Sequence, residues 1–285
     1  MIKDDRFYSH NGILIGNNGR VMGIKFDPYN PLDLPPNIIR VRTSDGNPPT
    51  KKLNTTYETA TLVPGTNDVY DVYKSGTSLF EVLYGSSNVV EVIGANTSNI
   101  TDMSVMFLDC TELTSVALFD TSNVTNMQLM FDGCHSLTSV PLFDTSNVTN
   151  MHDTFMGCRS LTTVPLFNTS NVTIMSNMFY KCYSLTSVPL LDTSNVTDMS
   201  HMFAYCSSLT TVPLFNTFKV SDIGYMFLDC GNVQSGALAL YQQASTQTTI
   251  PHYHDLVFKN CGVNTVTGTA ELAQIPYSWG GTMPE

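Results

Sequence analysis

The apolar positions of this chain recur with a fixed period. Between Asn96 and Cys230 the phrase Met-x-x-Met-Phe-x-x-Cys returns with few changes every 24 residues, closing on Cys110, Cys134, Cys158, Cys182, Cys206 and Cys230. Each cysteine leads into a segment such as Ser136 to Leu142, in which Leu137, Val140 and Leu142 alternate with small polar residues. That alternation predicts a short strand with an apolar inner face. The Asp-Thr-Ser-Asn run that follows is turn chemistry, because Asp and Asn side chains bond their own backbone. In the Met-Phe-Cys phrase, Met199, Met202, Phe203 and Cys206 lie at i, i+3, i+4 and i+7. The spacing predicts a short helix with those four residues on one face.

A 24-residue period is the signature of a solenoid, in which coils stack and equivalent side chains form ladders. One coil alone cannot offset the conformational entropy of ordering itself, so the ladders must be shared between neighbours. Both ends of the array read as caps. Residues 72–95 form a degenerate coil with Leu79, Val82 and Leu83 in the Met, Met and Phe places and Val89 and Val92 in the Leu and Val places. Residues 96–235 are the clear array, and 236–285 a C-terminal capping region. There Phe258 to Cys261 repeats the Phe-x-x-Cys phrase 31 residues after Cys230, one coil plus seven residues. The insertion predicts a helix from Ala237, and Thr269 to Trp279 a second one stopped near Pro276, with Trp279 sealing the last coil. Residues 1–71 differ in kind. Gly- and Asn-rich turns, prolines and short runs such as Ile38 to Arg42 predict a small β-rich module that anchors on a partner or docks on the first coil.

Composition narrows the function classes. The 285 residues carry a formal net charge of −11, with 13 basic residues and no basic stripe. This excludes a protein that tracks phosphates, so no nucleic-acid partner is expected. No stretch reaches the roughly 18 apolar residues of a membrane span, and no membrane insertion is expected. The start, MIKDDRFYSHNGILIGNN, places acidic residues where a secretion signal carries positive charge, and no such signal is read there.

Candidate chemistry is sparse. The periodic cysteines point the same way from successive coils, a geometry that disfavours bridges, and they read as free, buried thiols. No CxxC pair suggests a metal. His252, His254 and Asp255 are the densest ligand-like group; a His-x-His pair can hold Zn²⁺, but a polar loop before the last coil is the simpler reading. Asp120, Asp144 and Asp192 form a series that can chelate Ca²⁺, against the plainer role of turn capping. Asn123, Asn147, Asn171 and Asn195 also match the N-glycosylation triplet, yet read as an inward hydrogen-bonding ladder. His135, His152 and His201 occupy different coil positions and read as exposed. No nucleophile, base or phosphate-cradling loop recurs, so no enzyme, cofactor or metal is expected.

The phrase DTSNVTNM…MF…C…LTSVPLF, nearly complete at Asp120 to Phe143, Asp144 to Phe167 and Asp192 to Phe215, resembles the BspA-like leucine-rich repeat, or bacterial surface protein repeat. The similarity spans residues 96–230, with Ala117 replacing the usual Pro and Thr154 a Met. The fold class implied is an α/β repeat solenoid, leucine-rich-repeat-like, with short strands and a short helix per coil. The resemblance implies a surface protein, often a bacterial adhesin or a bacteriophage component. LPPNIIRVRTSDG and AELAQIPYSWGG are similar to segments of virion-associated phage proteins. The expectation is a virion surface protein, a tail- or capsid-attached fibre or decoration subunit assembled in the host cytoplasm. Its N-terminal module would contact other virion proteins and its solenoid a host-surface protein or glycan, with homo-oligomerisation open. The alternatives are a secreted adhesin on a bacterial surface and a purely structural, virion-stabilising protein. The candidate recognition face comprises positions that vary between coils: Gln128, Leu129, Asp132, His152, Asp153, Met156, Ser176, Asn177, Tyr180, Ser200 and His201.

Overall fold

A 24-residue coil has too few residues to satisfy its own backbone, so its N–H and C=O groups find partners in the coils on either side. The computed structural model describes residues 34–52, 55–247 and 251–282, together with the backbone of two short paired strands, β1 (Tyr8–His10) and β2 (Ile13–Ile15). Single parallel bridges link Ser78, Asp102, Asn126, Asn150, Ile174, Asp198, Asp222 and Tyr253 in one continuous column. The last step spans 31 residues, so the seven-residue insertion loops out without breaking the stack. On one side of each coil, the N–H of Thr125, Thr149, Thr173 and Thr197 donates to the carbonyl 24 residues earlier at 2.8–2.9 Å. On the other side, Met103, Val105, Phe107 and Asp109 donate forward to Asn126, Gln128, Met130 and Asp132 at 2.8–3.0 Å.

The Met-Phe-Cys phrase is not a helix. It is a run of overlapping four-residue turns, in which the N–H of Met106 donates to Met103, that of Leu108 to Val105 and that of Cys110 to Phe107, with left-handed residues at Val105 and Asp109. Size explains the difference: a helix with its side chains is about 10–12 Å across, whereas coils bonded by backbone repeat at about 4.8 Å. A flat run of turns fits that spacing and still turns Met, Met, Phe and Cys inward.

The predicted strand is also reduced. Only Ser115–Val116 (β7) forms one, parallel to β6 (Val89–Ala95). The N–H of Ala117 completes that pairing by donating to Val92 at 2.9 Å. In later coils the same position is Pro141, Pro165, Pro189 or Pro213, which has no N–H to give. Leu142, expected to point inward, is 58% exposed, and Phe143 takes the core place at 3%. The same shift occurs where Ala117 keeps its N–H, with Leu118 60% exposed and Phe119 at 5%, so it belongs to the coil and not to the proline.

The interior is a set of columns. Phe107, Phe131, Phe155, Phe179, Phe203, Phe227 and Phe258 stack nearly parallel at centroid separations of 5.2–5.9 Å. These distances exceed the coil spacing, so the rings are slipped, the arrangement aromatic pairs prefer. A second column of Phe119, Phe143, Phe167, Leu191 and Phe215 lies beside it. All seven cysteines are free and buried. Six of the thiols, from Cys110 to Cys230, donate to the carbonyl 27 residues earlier at 3.0–3.2 Å. Burial raises every one of these thiol pKa values, that of Cys110 to about 12. Thr121, Thr145, Thr169 and Thr193 are the polar element of the interior, each hydroxyl donating to the next coil's carbonyl at 2.8–2.9 Å.

Both ends are closed. β3 (Ile38–Thr43), β4 (Thr59–Leu62) and β5 (Val69–Tyr73) join β6 in a sheet of order β4-β5-β3-β6-β7, with β3 antiparallel to both β5 and β6. The buried Arg40 pairs with Asp71 through two bonds of 2.7 and 2.9 Å. Residues 34–73 thus extend the first coil's sheet; the expected fold of residues before 34 lies outside the described residues except for β1 and β2. At the far end, α1 (Ala237–Ser245) begins at the predicted residue. Its start lacks a side-chain cap, and the Glu271 carboxylate supplies one by accepting from Gly236 and Leu238 at 3.3 and 3.1 Å. Glu271 belongs to α2 (Val266–Leu272), which starts earlier than predicted because Thr265 caps it. Trp279 is buried against Tyr241 and His254, in the sealing position its place in the sequence implies.

The displaced alternation and the buried thiols can both be checked in solution. Phe143→Ala is expected to cost about 3–5 kcal/mol and Leu142→Ala less than about 0.5 kcal/mol in urea denaturation, the reverse of what strict alternation implies. The native thiols are expected to stay unreactive to a disulfide reagent at pH 8 and to react together once the chain unfolds.

Candidate recognition face

The turn run that replaces the helix creates the surface of interest. A column of aspartates and asparagines opens it: the Oδ1 atoms of Asp102, Asn126, Asn150, Asp198 and Asp222 accept from the N–H two residues on at 2.9–3.1 Å. The chain then passes through two left-handed positions per coil. The first column holds Glu81, Val105, Leu129, Asp153, Asn177, His201, Tyr225 and Leu256; the second holds Gly85, Asp109, Gly133, Gly157, Lys181, Tyr205, Asp229 and Asn260. Glycine or Asn suits such a backbone. A branched, aromatic or long side chain there costs on the order of 1–3 kcal/mol.

Within coils four to six these strained residues form one cluster. The rings of His201 and Tyr225 stack at 5.0 Å and 15°. Tyr180 stands edge-on to Tyr205 at 5.4 Å and to His201 at 6.3 Å. The Lys181 ammonium lies 5.0 Å from the Tyr180 ring centre and 5.8 Å from that of Tyr205. All five side chains are partly exposed, and Lys181 forms no ion pair among the described residues. The cluster offers ring faces, phenol hydroxyls and a cation in one patch.

Earlier coils carry a polar, acidic patch on the same face. His152 Nε2 pairs with Asp153 Oδ2 at 2.8 Å, and its Nδ1 meets Ser176 Oγ at 2.8 Å. Hydrogen bonding to Asp153 is the main cause that raises the His152 pKa. Asp153 itself is buried, and its Oδ1 has no partner. Burial, reinforced by the charges of Asp153 and Asp109, pushes the Asp132 carboxyl up to about 7.

The sequence-based face is therefore only partly a surface. Gln128, Leu129, Asp132, His152, Met156, Asn177, Tyr180, Ser200 and His201 are partly exposed, whereas Asp153 and Ser176 are buried and serve His152. Ser104, Val105 and Ala204, at equivalent places, are buried too. His152, expected to be exposed, is half-buried and fully engaged. Lys181, Tyr205 and Tyr225 escape the sequence reading. For Lys181 and Tyr205 a signal exists in the variable residue before each cysteine, Asp109, Gly133, Gly157, Lys181, Tyr205 and Asp229.

Other candidates resolve into structure. Asp120, Asp144 and Asp192 cap their turns, accepting from the N–H two residues on at 2.9–3.0 Å. Asn123, Asn147, Asn171 and Asn195 do form a hydrogen-bonding ladder to the serine carbonyl 25 residues earlier, at 2.7–2.8 Å. The ladder lies on the outside, however, because the buried place beside it belongs to Thr121 and its equivalents. His254 turns toward the Pro251 carbonyl and the Trp279 ring while His252 is exposed. Among the described residues no group of three or more His, Cys, Asp or Glu is arranged to hold a metal ion, and no helix is long and apolar enough to cross a membrane.

Asp132 and His152 set an expected pH response. A carboxyl raised to about 7 contributes stability that is present below its unfolded pKa of about 3.9 and lost as pH rises through the folded value. The raised His152 acts in the same sense, its contribution present below about 6.5 and lost above its folded value. The melting temperature is expected to fall between about pH 4 and pH 7.5, and Asp132→Asn to flatten that fall, leaving the parts of His152 and of Asp222, whose carboxyl pKa burial also raises.

Comparison with known proteins places the repeat. The chain resembles a leucine-rich repeat protein from Eubacterium ventriosum of known crystal structure, at 19% identity and a TM-score of 0.40, over 67% of this chain and 44% of that one. The chain thus spans less than half the length of that protein. No curated protein matches it. The family described as "Mycoplasma protein of unknown function, DUF285" matches residues 77–187 and 162–245, covering the coils from the degenerate first one to α1. By that match, which takes in more than half of its residues, the chain belongs to the DUF285 family.

Proposed function

We propose that the stacked coils form a leucine-rich-repeat-like solenoid whose turn face is a recognition surface for a protein or glycan on a host cell. The observation that carries this reading is the choice of residue at the left-handed positions. Glycine or asparagine fits both columns at least cost, as at Gly133, Gly157, Asn177 and Asn260, and the other occupants outside the cluster, such as Val105, Leu129, Asp109 and Asp229, are aliphatic or acidic. Lys181, His201, Tyr205 and Tyr225 instead hold large side chains there at a backbone cost. Those four and Tyr180 form the one cluster just described. Tyrosine rings dominate binding surfaces because they bury much area with little loss of rotamer freedom and keep a polar tip, and a cation near the ring face adds an electrostatic handle.

In this reading the solenoid sits on a bacteriophage particle, as a tail- or capsid-attached subunit anchored through residues 1–71. It acts by binding and not by catalysis. The support for the particle is the resemblance of the segments at Leu34 to Gly46 and Ala270 to Gly281; the secreted bacterial adhesin shares the same binding face.

The face is tested by a Tyr180→Ala/Tyr205→Ala variant, which is expected to bind host cells at least tenfold more weakly while keeping its melting temperature within about 3 °C. Unchanged binding would remove the face from the mechanism. Mass spectrometry of purified particles tests the location: the chain is expected in virions, and its presence only on bacterial surfaces would favour the adhesin.

A further inference from the structure

A second face carries a feature that neither the core nor the recognition surface uses. Leu118, Leu142, Leu166, Leu190 and Leu214 occupy the same place in five successive coils and are 52–62% exposed. The other recurring columns hold the stack together, since Phe, Cys and Val fill the interior while Thr and Asn bond the next or the previous coil. These leucines contribute to neither. They line up from coil to coil as an apolar ridge, each preceded by a half-buried Pro or Ala.

We propose that this ridge is a homodimer interface, which two copies of the chain bury against each other. Pitch selects the occupant. The ridge repeats at the coil spacing of about 4.8 Å, whereas a docked helix presents its rows at about 5.4 Å per turn and drifts out of step along five leucines. A second copy has the same pitch and interdigitates along the whole ridge.

Charge selects the orientation. Each coil crosses this face from exposed hydroxyls, such as Thr138 and Ser139, through Leu142 to the exposed Asp144. A twofold axis perpendicular to the stack would set the Asp120, Asp144 and Asp192 column against itself. A twofold axis along the stack sets each aspartate column against the partner's Thr and Ser hydroxyls, which donate to it. The two stacks then run parallel, with both N-terminal modules at one end and the two recognition clusters at matching heights. The contact is isologous, as twofold symmetry requires.

The test uses the full chain. Sedimentation velocity is expected to show a dimer at micromolar concentrations, and a Leu142→Asp/Leu166→Asp variant to sediment as a monomer with unchanged circular dichroism and the melting temperature that the wild-type chain shows when diluted to a monomer, since both side chains face water in the single chain. A wild-type monomer throughout the micromolar range, whether because the ridge stays bare or because residues 1–33 cover it, overturns the proposal, as does a dimer untouched by the substitutions. Orientation is read by oxidative cross-linking of a Leu118→Cys variant. Self-cross-linking is expected from a parallel pair, and linkage only between Leu118→Cys and Leu214→Cys chains overturns the axis assigned here.

Discussion

The spacing set by one backbone hydrogen bond between coils governs everything else in this structure. At about 4.8 Å per coil there is no room for a helix inside the stack, only for extended chain and flat turns. That constraint converts the Met-Phe-Cys phrase into a run of turns and forces a left-handed residue at two places in each coil. It also brings equivalent side chains into van der Waals contact, which is why the seven-ring phenylalanine column and the thiol column exist. At Lys181, His201, Tyr205 and Tyr225 the left-handed backbone carries large, partly exposed side chains, so the same constraint that builds the interior also shapes the proposed recognition face.

Much of this was legible in the sequence because burial follows periodicity. The buried Met, Phe, Cys, Leu137 and Val140, the degenerate first coil, the looped-out insertion, the helix from Ala237 and the Trp279 plug could all be read from spacing and residue type. What spacing could not decide was the conformation beneath it. A short helix and a run of turns both place i, i+3, i+4 and i+7 on one side, and only the coil pitch separates them. The alternation rule failed for a related reason: the inward place falls to Phe143 and not Leu142, and to Phe119 and not Leu118 even where Ala117 keeps its ladder N–H, so the turn of the coil and not the residue type sets which side chain faces in. The site was half legible. Variation between coils identified Tyr180 and His201; Tyr225 shares the column of His201 one coil further on, while Lys181 and Tyr205 precede the cysteine, at the second left-handed place of each coil, where both are partly exposed.

Polar groups inside the stack are handled by the same translation. Thr121 and its equivalents place a hydroxyl where no water reaches and satisfy it on the next coil's carbonyl. The six thiols from Cys110 to Cys230 do so on an earlier one. Such groups cost little when paired and several kcal/mol when not, so they penalise any register other than the native one. Thr154 shows the tolerance of the scheme. It replaces a Met in the middle of the interior, and its hydroxyl finds the Met127 carbonyl at 3.1 Å.

The 31-residue step at Tyr253 has a broader implication. A stack held by identical interfaces accepts or loses material only in whole coils, and anything left over must be expelled sideways, as the α1 segment is. Duplication or deletion of one repeat in the gene would leave each surviving junction intact. The reach of the molecule is thus an inheritable variable that can change in single discrete steps, while the fold at every level stays the same.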